Sequence, residues 1–295
     1  MLAESIQDDN VEFKRLTQRP LLAWPTLLLW AFSASLWCTS TVLAILGQVD
    51  YVFTFLMNGW ATFLAFTVLH DASHRSISTH QWVNASLGQL SIIFLSPAPA
   101  FSMFRFIHMQ HHRFTNEGSD VDPDYWVGQG PKLLLPCKWM IIDIFYYAWY
   151  IPRLASRSKK EKREFVITIL SLIAVMSVLF YMGWFDEFLL YHFLPARLAS
   201  FLLAFTFDYL PHHPHAVTAK QAPYQATNVR VGLEWLMTPV LLYQNYHLIH
   251  HLHPLVPFYR YIKIWRARQR TLLENESAMV KSLSNRPVSV AEYTK

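Results

Sequence analysis

Charge is what this chain has least of. Only 15% of its 295 residues are Asp, Glu, Lys or Arg, it holds eight glycines and two cysteines, and 53% of it is hydrophobic. That balance is too apolar for an ordinary soluble domain of this length and points to a membrane protein. A disulfide framework is excluded: Cys38 falls inside a long apolar run and Cys137 in a charged segment on the cytoplasmic side, so the two are not expected to meet. There is no repeat of solenoid period and no low-complexity linker, so one membrane domain over residues 1–295 is the simplest organisation. The net charge of +5 calls for no nucleic acid, because the basic residues follow a membrane bias.

Residues 21–49 and 51–69 contain no Asp, Glu, Lys, Arg or His, and residues 165–185 form a third such run. A fourth apolar stretch, 188–210, is interrupted by His192, Pro195 and Arg197. Each can cross roughly 30 Å of hydrocarbon as a helix, so four transmembrane helices are expected. The first run does not read as a secretory leader, since a polar segment with Glu4, Asp8, Asp9 and Glu12 precedes it and no small-residue cleavage site follows. Of the 25 Lys and Arg, three precede the first run, eleven lie in residues 70–164 and ten follow residue 211. This bias places both termini and the central segment in the cytoplasm. Arg197 is the exception, and with Pro195 opening its helix it is expected near the outer surface. Residues 133–151 and 231–242 read as helices lying on the cytoplasmic face, and residues 90–104, broken by Pro97 and Pro99, as a re-entrant or interfacial piece. The fold expected is therefore an all-α integral membrane protein, with four spans and a cytoplasmic cap of interfacial helices from residues 70–164 and 211–270.

Histidine is what the chain has in excess. Thirteen of its fourteen histidines fall beyond the span ends on the cytoplasmic side, His192 being the exception. In HDASH, His70 and His74 are four apart and share a helix face; HMQHH (108–112) and HLIHH (247–251) each put three imidazoles on one helical stripe. With this histidine content a single HxxHH match arises by chance only about 0.03 times. His70, His74, His108, His111, His112, His247, His250 and His251 are thus eight imidazoles aimed at one place. A ninth comes from FDYLPHHPH (207–215), where Asp208 and His212 are four apart. Pro211 and Pro214 interrupt regular helix there, so His213 or His215 could stand in for His212. Imidazole suits zinc, copper, nickel and iron, and a single zinc takes three or four ligands. Eight or nine are too many for one ion and fit two, each with a position open for oxygen. Histidine ligands usually give their second N–H to an oxygen, and Asp71, Asp120, Asp122, Asp124 and Asn245 are the candidates nearest in sequence.

HxxxH, HxxHH and a late HxxHH, set between two pairs of spans, resemble the three histidine boxes of membrane fatty-acid desaturases and hydroxylases over about residues 50–270. Within that superfamily the wording HDASHR, HMQHHRFTN with DPD, FDYLPHHPH and NYHLIHHLHPLVPFYRY is most similar to the desaturase-type β-carotene hydroxylases. The resemblance implies a centre of two non-haem iron ions that activates O2 and attacks an unactivated C–H bond of a membrane-dissolved lipid, hydroxylation of a carotenoid being the first choice. It also implies electrons from a separate ferredoxin or cytochrome-type donor. By motif, the eight histidines named above are the box ligands and His212 matches the extra histidine before the last box. Asp208 falls where stearoyl-type desaturases carry an asparagine that reaches a metal through water, which makes it the catalytic candidate. The basic stretches 153–163 and 260–270 would dock an acidic carrier or anionic lipid heads.

A fatty-acyl lipid desaturase is the alternative. The first box has three intervening residues, unlike the stearoyl type, but the plant-like acyl-lipid desaturases stay open. No HPGG signature of a fused cytochrome b5 is present, so the electron donor is a separate protein. Ketolation and alkane hydroxylation are further outcomes on the same centre. A metal transporter or haem carrier would place polar groups or haem ligands within the spans, and three of the four have no ionisable residue there.

Overall fold

The computed structural model describes residues 11–98 and 100–294. Pro99 and the acidic Glu4, Asp8 and Asp9 lie outside the described residues. After a helical turn at 11–17 the helices are α1 (Trp24–Ile45), α2 (Tyr51–Ser73), α3 (Gln81–Ile92), α4 (Phe101–Phe114), α5 (Leu135–Trp139), α6 (Ile142–Tyr150), α7 (Lys159–Met182), α8 (Phe185–His212), α9 (Glu234–Val240), α10 (His247–Leu252), α11 (Tyr261–Glu274) and α12 (Val290–Tyr293). Two short strands, β1 (Val229–Val231) and β2 (Met279–Lys281), pair in parallel.

The helices α1, α2, α7 and α8 are long and apolar enough to cross a membrane, matching the four runs expected. Their ends follow local chemistry. Gly47, at φ +68°, turns the chain after α1, and Asp50 caps α2 by accepting a hydrogen bond from the Phe53 amide (2.8 Å). The helix α7 begins six residues before its charge-free run, because Ser158 caps it by accepting from the Glu161 amide (3.3 Å). It closes at Gly183, whose left-handed φ of +72° lets the Trp184 amide reach back to the Leu179 carbonyl (2.8 Å). The central helix is α2, 61% buried over its most apolar stretch against 11% for α1 and 6% for α7, so α1 and α7 leave most of their surface to lipid.

Pro195 does not open the fourth span, as its position in the sequence suggests; it sits inside α8. Its ring nitrogen has no proton for the carbonyl of Tyr191 four residues back. The chain widens there into a π turn (Leu189–Phe193), and the Tyr191 carbonyl accepts instead from Asn58 Nδ2 of α2 (2.7 Å). Asn58 also donates to Thr41 Oγ1 of α1 (2.8 Å) and accepts from Ser40, so one buried amide joins three spans. A second π turn, Ala204–Tyr209, carries Asp208.

Because the helix begins at Phe185, Arg197 is not at the outer surface but well inside α8 and buried. Its guanidinium holds Asp143 of α6 in a bidentate pair (2.6 and 2.8 Å) and donates to the Met140 carbonyl (2.9 Å). Residues 133–151 therefore form two short helices whose junction reaches into the flank of α8, rather than one helix lying on a surface. The hydropathy of the segment hid this, since the buried cation that holds it lies 54 residues away. The helices α3 and α4 form a hairpin whose tip also meets α8: the Ile93 carbonyl is bonded to His192 Nε2 (2.8 Å) and the Leu95 carbonyl to Arg197 (3.4 Å). This hairpin contains residues 90–104, the piece expected to be re-entrant or interfacial. In 231–242 the chain passes from β1 into α9, which leaves Trp235 and Val240 exposed as a lipid-facing helix would.

Arg197 is buried and Asp143 only partly so, and removing one leaves the other without its partner. Arg197→Leu is expected to destabilise the protein by about 2 kcal/mol or more, and the double change with Asp143→Leu to recover most of it. Thermal unfolding in detergent measures both; a double variant no better than the single one would show that the pair is not what holds α6 against α8.

Candidate metal centre

Three of the spacings read from the sequence are realised as helices. His70 is in the last turn of α2, and His74 is its C-terminal cap. His108, His111 and His112 lie on α4, and His247, His250 and His251 on α10. His212 is the last residue of α8, four residues after Asp208. Four chain segments thus bring nine imidazoles to the same end of the spans.

The nine separate into two groups. One ring nitrogen from each of His70, His74, His108, His112 and His250 falls within 4.8 Å of the others, and the same holds for His111, His212, His247 and His251. Neighbouring Nε2 atoms stand 2.8 Å apart for His74 and His108, 2.9 Å for His112 and His250, and 3.1 Å for His247 with each of His212 and His251. Two nitrogens bound at right angles to one ion, each at about 2.1 Å, stand about 3.0 Å apart, so these separations fit a metal. The groups adjoin: His112 and His251 stack with centroids 4.2 Å apart.

The second ring nitrogens support the same reading. His111 Nδ1 donates to Asp122 (2.9 Å) and lies 3.5 Å from Asp124. His247 Nδ1 donates to Gln244 Oε1 (2.7 Å), and His250 Nδ1 shares a hydrogen bond with the Tyr261 hydroxyl (2.9 Å). An imidazole that gives its N–H outward turns its lone pair inward. His111 Nε2 and both nitrogens of His70 are buried with no hydrogen-bond partner, a costly state that a bound cation would relieve. Burial, and after it the charge of neighbouring imidazoles, holds His74, His108, His112, His247, His250 and His251 well below the usual histidine range, so they are neutral at pH 7, the form that can bind a metal. Burial pushes His111 down as well, but Asp122 and Asp124 overcome it and raise His111 to about 9.

Among the oxygen partners suggested by sequence, the structure brings in Asp122 and Asp124. Asp122 is itself fixed by the amides of Asn116 (2.7 Å) and Asp124 (3.0 Å), and Asp124 accepts from the Tyr146 hydroxyl (2.6 Å). Asp71 instead accepts from Thr26 of α1 (3.1 Å) and the Phe258 amide (3.3 Å), Asn245 donates to Thr238 (3.2 Å), and only the main-chain carbonyl of Asp120 is engaged, by Arg153 (2.8 Å). Gln244 and Tyr261 were missed. Gln244 lies one turn before its histidine and was open to a local search; Tyr261 is on another helix and was not. His213 and His215 join neither group. His215 is buried against Gly128, where a Cβ would come within 2.7 Å of its ring, so only glycine leaves room for it.

Asp208 also stays out of both groups. It lines a narrow cavity of about 70 Å³ with Asp124, Tyr146 and four of the imidazoles, His70, His108, His111 and His247. The remaining wall is apolar, including Phe66 and Leu69 of α2, Phe104 of α4, and Leu203 and Phe207 of α8. A hydrocarbon in this cavity would lie against two carboxylates and the histidines while water was excluded.

The comparisons with known proteins agree with this geometry. The chain is 28% identical to a β-carotene ketolase of Paracoccus sp. strain N81106 over 207 residues, 70% of this chain and 75% of the relative. It is 27% identical to the β-carotene ketolase of Paracoccus sp. strain PC1 over 259 residues, 85% and 91% of the two chains. An sn-1 oleoyl-lipid 12-desaturase of a Picosynechococcus species is 34% identical over 115 residues, 39% of this chain and 31% of the relative. These relatives support oxidation of a lipid or carotenoid. The family model described as fatty acid desaturase matches residues 49–282, from the start of α2 to just past β2, and by that match the chain belongs to the fatty acid desaturase family and is an oxidoreductase.

Proposed function

We propose that this protein is an O2-dependent oxygenase of a carotenoid dissolved in the bilayer, hydroxylating a C–H bond at a centre of two iron ions held by the nine histidines. The observation that carries the reading is the division of those nine imidazoles into two adjoining groups beside an apolar cavity between spans. The β-carotene ketolases named above favour a carotenoid and extend the reading, since a second hydroxylation at the same carbon gives a hydrate that loses water to a ketone.

His70, His74, His108, His112 and His250 would hold one ion, and His111, His212, His247 and His251 the other. When bound, the irons supply activation of O2. The chain does the rest. Asp122, Gln244 and Tyr261 fix the tilt of His111, His247 and His250, and the phenylalanines of α2, α4 and α8 clasp the substrate. Asp208 and Asp124 are placed to deliver the protons that oxygen reduction consumes; burial chiefly raises Asp124, to about 6, so it exchanges a proton near neutral pH. Both termini and the histidine end of the spans face the cytoplasm, where an electron carrier can reach them.

Three measurements test this. The purified wild type is expected to bind about two irons per chain and His247→Ala about one, whereas Asp208→Asn keeps both and loses most of its turnover. A wild type holding one ion at most removes the two-iron reading. Under labelled oxygen the product of a hydroxylase carries a labelled atom; a product with a new double bond and no label would assign the chain to the acyl-lipid desaturases instead, the reading the oleoyl-lipid relative favours. On α11, Lys263, Arg266 and Arg270 are exposed along one face and form the proposed landing for an acidic carrier. Reversing their charge should raise the KM for reduced ferredoxin about tenfold and flatten its salt dependence, with turnover under a small-molecule reductant unchanged.

A further inference from the structure

Away from the histidines, a cavity of about 630 Å³ opens between the end of α2, the start of α3, the outer face of α4 and the start of α7. Four cations line it, Arg75, Arg105, Arg157 and Lys160, against two carboxylates, Glu161 and Glu164. Both carboxylates are engaged: Glu161 pairs with Arg157 (2.7 Å) and caps α7 with Ser158, and Glu164 accepts from the Ser102 amide (2.9 Å). Arg75, Arg105 and Lys160 form no ion pair with the described residues. Arg105 is fixed through Nε by the Ser73 carbonyl (2.8 Å), and burial together with the nearby Arg75 pushes its guanidinium below the usual arginine range. Arg75 has a φ of +57°, a conformation that costs a non-glycine residue strain. Two arginines lining one cavity without a carboxylate partner give it the charge to hold an anion.

The surroundings identify which anion. The cavity lies where α2 and α7 leave their apolar runs, and Trp82 stands 71% exposed on its rim, as tryptophan does at a membrane surface. It adjoins a second hollow between Gln89 of α3 and Ile167 and Thr168 of α7, lined by Lys159 and Arg163. Beyond that, Leu170 and Ile173 continue the exposed apolar side of α7. The geometry points to an anionic phospholipid, its phosphate held by Arg75, Arg105 and Lys160 and an acyl chain laid along α7. This lipid would fill the gap that α7, so little covered by protein, leaves beside the bundle. The site is separate from the histidines and stands whether or not the proposed reaction is right.

Native mass spectrometry of the full-length protein, released from bilayers of phosphatidylcholine with a minor share of phosphatidylglycerol, reads this directly. The wild type is expected to retain phosphatidylglycerol, and Arg75→Gln and Lys160→Gln each to weaken retention about fivefold, as one basic contact at a membrane surface predicts. Lys263→Gln/Arg266→Gln on α11 should change nothing. Both pocket residues are partly or fully exposed, so the variants fold; equal unfolding midpoints in pure phosphatidylcholine check this. Equal retention by wild type and pocket variants would overturn the proposal. So would displacement of the lipid by inorganic phosphate, which marks a site for soluble anions, or a lipid-free dimer through this face. A raised KM for reduced ferredoxin in the pocket variants with lipid retention intact would assign the pocket to the electron carrier instead.

Discussion

Imidazole lone pairs turned toward one another in a dry interior are the constraint on which the rest of this structure depends. His247 places its Nε2 at 3.1 Å from two other Nε2 atoms while giving its N–H away to Gln244. His111 does the same toward Asp122 and leaves a buried Nε2 with no hydrogen-bond partner. Proteins leave buried polar atoms unpaired only where something else answers them. A cation at each group would satisfy the nitrogens together.

The position of the groups relative to the spans matters as much as their chemistry. The helix α2 carries His70 in its last turn and α8 ends in His212, so the site forms at one end of the apolar spans. The cavity wall is made from the same two helices together with α4 and α6. The π turn at Ala204–Tyr209 adds a residue to one turn of α8 and so sets which side chains face the cavity. The buried pair of Arg197 and Asp143 fastens α6, which supplies Tyr146 to the cavity, against that same helix.

Much of this was legible beforehand. Charge-free runs mark the spans because a helix in hydrocarbon satisfies its own backbone and cannot carry unpaired charge. The spacings i, i+3 and i+4 mark a common face because a helix repeats every 3.6 residues. Both rules are local: the first held for α1, α2, α7 and α8, and the second for α2, α4 and α10. Where sequence reading failed, a distant partner decided. Pro195 reads as a helix start until Asn58, 133 residues before Tyr191, donates to the Tyr191 carbonyl that the proline leaves without a partner. Asp71, directly after His70 and three residues before His74, turns away to Thr26 and Phe258.

The sequence by itself therefore determined the material of the site and the side of the spans on which it collects, since hydropathy, helical period and histidine content are properties of short segments. Only the tertiary structure decided how nine imidazoles divide into five and four, which oxygens orient them, and that His212 rather than His213 or His215 completes the second group. Those outcomes depend on contacts between helices far apart in the chain, and no local pattern encodes the angle at which one helix meets another.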